Sequence, residues 1–301
     1  MSKIIVIGSL NMDLVIQVPY LPSPGETIVG HKFETIPGGK GANQAAAVSR
    51  LGANATIIGR IGADEFGAAL VRSMHGFGVN TSGLIVDEQM RTGTAMIMVS
   101  ESENNNVIAI SEGANGHVST ADIDAAAFLI DSAELILLQF EIPMESVKYI
   151  IEKYKNTKKI FLDPAPFKPI EDEFLNGIYS MFPNENEAEK LCGTPIETAE
   201  DAFKALDVLR AKGVKHPIIT LGAKGCVYFD GYKNKHLEAC EVDTVDTTAA
   251  GDTFAGALAV AWTEGKNIDE SVAFASRAAA LATCKYGAQS SIPSRGEVDE
   301  L

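Results

Sequence analysis

Short apolar runs alternate with helix-length amphipathic runs along most of this chain, and no other feature constrains its fold as strongly. KIIVIG precedes a helical stretch over about 42–52, ATIIGRIG one over about 66–77, and ELILLQF one over about 144–155. KIFLD and YSMFPN lead to helices from about 185 and over about 199–212, and PIITLG to two closing helices at about 251–264 and 269–284. Apolar strands separated by helices predict a parallel sheet covered on both faces. Two regions break the alternation. TGTAMIMVS and NVIAI face each other across the polar turn ESENNN, which predicts an antiparallel hairpin, and 12–36 carries the alternating DLVIQV and the turn LPSPGE. The expectation is a single α/β domain over 1–301, a mainly parallel sheet flanked by helices, with a small β-sheet lid from segments near 12–36 and 93–110.

Composition narrows the function. With 301 residues and 46% apolar content the chain can bury a substantial core. Its net charge of −15, from 40 acids against 25 bases, argues against general affinity for nucleic acid or an anionic membrane. Any polyanionic ligand must then be held by local features. Cys192, Cys226, Cys240 and Cys284 form no CxxC pair and read as reduced thiols rather than a zinc or redox motif. MSKIIVIGSL lacks a signal-peptide pattern, and no run approaches the ~20 apolar residues that span a bilayer, so a cytoplasmic location is expected.

Six stretches carry candidate chemistry. In TVDTTAAGDTF, residues 244–254, small residues open an apolar helix, so its N–H groups can approach an anion closely. Asp252 sits in that positive field as a candidate proton acceptor, or simply as a favourable first-turn acid. In PGGKGANQAAA, residues 37–47, the spacing is neither a Walker loop, because Gly41 follows Lys40, nor G-x-G-x-x-G, because Gln44 stands where the last glycine belongs. Its glycines permit close approach to a small polar ligand, with Lys40 and Asn43 as donors, or merely form a turn. In GSLNMDL, Asn11 and Asp13 share one side of an extended segment at the end of the first strand, where ligands of open α/β sheets sit, or are simply polar turn residues. Glu141 ends the apolar LILLQFEIP as either a binding or a capping group. Asn184, Glu185, Glu187 and Glu189 in MFPNENEAEKLCG suit a helix dipole or a magnesium site, and Gly222 and Gly225 of TLGAKGC fit a hairpin or a nucleotide-facing turn.

GSLNMD, PGGKGANQA, PNENEAE, TLGAKG, VDTTAAGDTFAGAL and the closing KYGAQSSIPS occur in an order that resembles the ribokinase family of carbohydrate kinases over essentially the whole length. The resemblance implies a ribokinase-like α/β fold with a β-sheet lid and transfer of the ATP γ-phosphate to the 5-hydroxyl of D-ribose. It makes Asp252 the base and the N–H groups of Ala249, Ala250, Gly251 and Asp252 the anion hole. The sugar falls to Asn11, Met12, Asp13, Gly39, Lys40, Gly41, Ala42, Asn43 and Glu141, with Asp252. ATP falls to Asn184, Thr220, Leu221, Gly222, Ala223, Lys224, Gly225 and Ser276, with Gly251 and Asp252. Glu187 matches the acid that organises Mg2+, and Asp246, Thr248, Ala282, Lys285, Gly287 and Ser291 match the site of an activating K+. Independently of the resemblance, exposed lid strands need cover, so a homodimer through them is expected. A related kinase acting on fructose, a deoxyribose or a nucleoside stays open, as does a catalytically silent sugar-binding regulator.

Overall fold

Burial explains why the apolar runs fold as strands. In the computed structural model, which describes residues 3–102 and 105–301, the strands are β1 (Lys3–Ile7), β2 (Asn11–Val18), β3 (Lys32–Gly38), β4 (Asn54–Gly62), β5 (Asn80–Asp87), β6 (Gly93–Ser100), β7 (Asn106–Ser111), β8 (Leu135–Gln139), β9 (Lys159–Asp163), β10 (Ser180–Met181), β11 (His216–Thr220), β12 (Cys226–Phe229) and β13 (Asn234–Leu237). The helices are α1 (Lys40–Arg50), α2 (Glu65–Gly76), α3 (Thr120–Ala125), α4 (Ala127–Asp131), α5 (Met144–Tyr154), α6 (Asp172–Leu175), α7 (Glu185–Cys192), α8 (Ala199–Ala211), α9 (Ala250–Thr263), α10 (Ile268–Thr283) and α11 (Arg295–Glu300). Met1, Ser2, and Glu103 and Asn104 of the expected ESENNN turn lie outside the described residues.

The large sheet has the order β13-β12-β11-β10-β9-β8-β1-β4-β5, parallel from β11 to β5, with β12 and β13 added antiparallel at one edge. Successive residues of a strand point to opposite faces, and so the core has two layers. Ile4, Val6, Leu135 and Leu137 pack with α1, α9 and α10, while Ile5, Ile7, Ile136 and Leu138 pack with α5 and α8. Each such fully buried aliphatic side chain contributes about 1.5–3 kcal/mol. β5, in NTSGLIVD, is a strand that the apolar alternation does not single out, because only LIV in it is strongly apolar.

A second sheet, ordered β3-β2-β6-β7, stands apart as the lid. The expected hairpin is there, with β6 antiparallel to β7, and β2 joins it through parallel pairing with β6. Register brings the strand roots together, because Asn11 opens β2 opposite Gly38 and Gly93, and Thr94 lies opposite Ser111. Since only three residues separate β1 from β2, these roots meet the carboxyl edge of the large sheet.

Candidate active site

The start of α1 is built around that edge. Gly39 adopts φ 89, a conformation side chains avoid, and a Cβ there would lie 2.6 Å from the Asn11 nitrogen. The turn lets α1 begin at Lys40, whose N–H donates to Glu141 Oε2 at 3.0 Å, while the Ser9 hydroxyl donates to the same oxygen. The Ala42 N–H donates to the Ser9 carbonyl at 2.9 Å and locks the helix to the end of β1.

α9 begins differently. Its cap, Ala249, has φ 60, the one non-glycine residue with a left-handed backbone among those described. That strain costs on the order of 1–2 kcal/mol and marks a backbone held for a purpose. The Ala250 N–H is taken by the Thr247 carbonyl at 3.2 Å, but those of Ala249, Gly251 and Asp252 have no acceptor among the described residues. α9 crosses α1 closely, since a Cβ on Gly256 would lie 2.6 Å from that of Ala47. The crossing brings the two helix starts together. Asn43 Nδ2 donates to Asp252 Oδ2 at 2.9 Å, and Gln44 Nε2 donates to Asp252 Oδ1 at 3.1 Å and to Asp163 Oδ2 at 2.9 Å.

Lys40 is the counter-ion of this acidic pocket, 3.5 Å from Asp163 and 3.7 Å from Asp252. Burial opposes its charge, yet Asp163, Asp252, Glu141 and Glu187 outweigh that and hold its pKa above the ordinary lysine value. Asp163 is pushed up to about 7, first by burial and then by Asp252, Glu187 and Glu141, against the pull of Lys40. Asp13 also rises to about 7, through burial and then the charges of Glu141 and Asp252. Asn11 has an orienting partner in Asn115, whose Nδ2 donates to Asn11 Oδ1 at 2.7 Å. Asn115 also brackets Leu10, accepting its N–H at 2.9 Å and donating to its carbonyl at 3.0 Å. Gly93 makes room, because a Cβ there would lie 2.3 Å from both amides. A cleft of ≈ 140 Å³ opens beside them, lined by Asn11, Ile110, Glu112, Asn115, Phe140, Glu141, Pro166 and Lys168.

The residues expected at the site thus fall into groups. Asn11, Asp13, Gly39, Lys40, Gly41, Asn43, Glu141 and Asp252 gather at the lid root and the two helix starts. Met12, Ala42 and Leu221 turn their side chains into the core. Asn184 and Thr220 are joined by a bridge, the turn Gly222–Lys224 follows, and Ser276 Oγ lies 3.8 Å from Cys226 Sγ, so the residues expected around ATP are neighbours. Asp163, Gln44, Gln139 and Asn115 join the site without having been singled out from the sequence.

Two groups of oxygens are suited to cations. Glu187 closes a capping box with Asn184 through Oε2, at 2.9 Å from the Asn184 nitrogen, which leaves Oε1 available to a magnesium ion or its waters. Asp246 accepts from the Thr248 N–H at 2.9 Å and from the Gly287 N–H at 2.9 Å, tying the approach to α9 to the end of α10. There the carbonyls of Ala282, Lys285 and Gly287 receive no hydrogen bond among the described residues, as a carbonyl-rich monovalent cation site requires. The Lys285 ammonium points elsewhere, to Glu297 at 2.8 Å.

Known proteins match this architecture over its full extent. The family model of the pfkB family carbohydrate kinases matches residues 1–295. The ribokinase of Haemophilus influenzae is 40% identical over 297 residues, covering 98% of this chain and 97% of the relative. That of Bacillus subtilis is 39% identical over 305 residues, covering 100% and 99%. Among solved structures, the ribokinase of Thermotoga maritima superimposes with a TM-score of 0.92 at 36% identity, covering 100% of this chain and 99% of that one. The Arabidopsis thaliana ribokinase complexed with ribose and ATP gives 0.91 at 35% identity, covering 100% and 98%. With its lid, its paired helix starts and a family match over residues 1–295, the chain belongs to the pfkB family of carbohydrate kinases.

Proposed function

We propose that this enzyme transfers the γ-phosphate of ATP to the 5-hydroxyl of D-ribose, giving D-ribose 5-phosphate and ADP. The observation that carries this reading is the meeting of Asp252, held by Asn43 and Gln44, with the unpaired N–H groups at the start of α9, in a chain whose full-length relatives are named ribokinases. Asn11, Asp13, Lys40, Asn43 and Glu141 grip the sugar hydroxyls, and the lid root aligns them. As the 5-hydroxyl oxygen bonds to the γ-phosphorus, Asp252 takes the hydroxyl proton, and the bond to the β–γ bridging oxygen breaks, leaving its electron pair on ADP. The transition state is loose, so the protein's work is alignment and charge stabilisation. Preorganised donors such as the N–H groups of Ala249, Gly251 and Asp252 are worth roughly 3 kcal/mol each, while that of Ala250, also expected in the anion hole, is held by the Thr247 carbonyl.

Asn184, the Thr220–Gly225 turn and Ser276 hold the nucleotide. Glu187 with the ATP phosphates would hold Mg2+, which supplies charge neutralisation on the phosphates when bound. Asp246, Thr248 and the carbonyls of Ala282, Lys285, Gly287 and Ser291 would hold K+, steadying the approach to α9. The lid presents exposed Phe33, Met96, Val107, Ile108 and Ile110, and its edge strands β3 and β7 lack outer partners among the described residues, so a second copy covers them in a homodimer. Reduced cysteines and use of ATP suit the cytoplasm.

A coupled ADP-release assay with ribose, 2-deoxyribose, fructose and nucleosides, with and without K+, tests the reading. Ribose-dependent turnover with the highest kcat/KM of the panel, stimulated by K+, is expected. A higher value for 2-deoxyribose would reassign the substrate, as the 33% identical deoxyribokinase of Salmonella typhi makes worth testing. Ribose binding without turnover on any sugar would identify a silent regulator.

A further inference from the structure

Gln139 ends the apolar strand LILLQ and is fully buried, yet its Oε1 has no hydrogen-bond partner. That oxygen lies against Gly8, where a Cβ would fall 1.9 Å from it. A core under selection for packing alone would place leucine here and avoid the orphan. The other end of the amide supplies the reason. Gln139 Nε2 donates to Gln44 Oε1 at 2.6 Å, and Gln44, also fully buried, turns its Nε2 to Asp252 Oδ1 and Asp163 Oδ2. An amide has one donor end and one acceptor end. Because Asp252 accepts at both oxygens, Gln44 must present its NH2, and its carbonyl must face a donor, which Gln139 provides.

We infer that Gln139 and Gln44 form a relay of positioning residues that fixes the orientation of the Asp252 carboxylate for proton acceptance. The inference rests on the proposed role of Asp252. Without Gln139, the Gln44 amide is free to turn its oxygen toward Asp252, and the carboxylate swings from the line of the attacking hydroxyl. Misplacement of this kind in a phosphoryl-transfer site lowers turnover far more than ground-state binding.

The test uses Gln139→Leu, Gln44→Met and the double variant of the full chain. Gln139→Leu should lower kcat about tenfold or more with KM for ribose and ATP within about twofold, while melting at or above the wild-type temperature because the orphan oxygen is gone. The double variant should be no slower than Gln44→Met alone, since both changes break one relay. A kcat for Gln139→Leu within about twofold of wild type, joint loss of stability and activity, or losses that multiply in the double variant would each overturn the inference. Should the leucine variant not fold, Gln139→Met carries the same comparison. A crystal structure of Gln139→Met gives a readout independent of turnover, with the Gln44 amide expected to leave Asp252. An unchanged Gln44–Asp252 contact overturns the relay, and a wild-type enzyme inactive on every sugar overturns the proposed function while leaving the relay to be judged by that structure.

Discussion

Asn115→Ala strips partners from the Leu10 N–H and carbonyl and frees the Asn11 amide. Steady-state kinetics should show a ribose KM raised about tenfold with kcat changed much less, whereas an unchanged KM removes Asn115 from sugar binding. Site residues are legible in the sequence where several polar groups interrupt an apolar pattern together, as Asn11 with Asp13, Lys40 with Asn43, and Asp252 after Ala-Ala-Gly do. Asp163 and Gln139 are not, because each is the polar last residue of a strand otherwise read as core, and Asn115 lies in an ordinary-looking turn. For Asp163 and Gln139 the signal is position, since the last residue of a buried parallel strand faces the ligand edge of the sheet. Asp13 and Asp163 both rise from 3.8 to about 7 on folding, so the native state keeps protons that the unfolded chain releases. Their stabilising contribution is complete below about pH 3.8 and is lost as pH rises through about 7. Calorimetry between about pH 5 and pH 8 should show the wild-type melting temperature falling more steeply than that of Asp13→Asn combined with Asp163→Asn, and parallel curves would contradict the shifts.

At the scale of elements, alternation makes nearly every buried strand and covering helix legible, because strands buried on both faces must be apolar throughout. Boundaries are less so. α1 begins at Lys40, two residues before the predicted start, since Gly39 can take a left-handed backbone and bring the helix N-terminus onto Glu141. Gly41 then lies so near β1 that a Cβ would meet the Gly8 carbonyl carbon and the Ser9 nitrogen at 2.7 Å. Gly41→Ala must therefore push α1 off the sheet and carry Lys40 and Asn43 with it. Overpacking of this kind costs about 1–3 kcal/mol, measurable by urea denaturation, and the ribose KM should rise in parallel. Native stability and KM in that variant would show that the contact is not tight.

For the whole molecule, the sequence exposes the lid as a departure from alternation, but its parallel β2–β6 pairing joins segments about 80 residues apart and has no local signature. The lid's exposed apolar strands support closure over the sugar, which excludes water from the transfer, and pairing with a second copy. Sedimentation at micromolar concentration should find a dimer for the wild type and a monomer for Ile108→Asp, while a wild-type monomer with and without ribose contradicts the lid interface. The proposed transfer depends on Asp252 beside the amides of α9, and its most direct test is the Asp252→Asn enzyme measured by calorimetric binding and by single-turnover transfer from ATP to ribose. Ribose and ATP affinities close to wild type with turnover reduced on the order of a thousandfold are predicted. Turnover equal to wild type would contradict it.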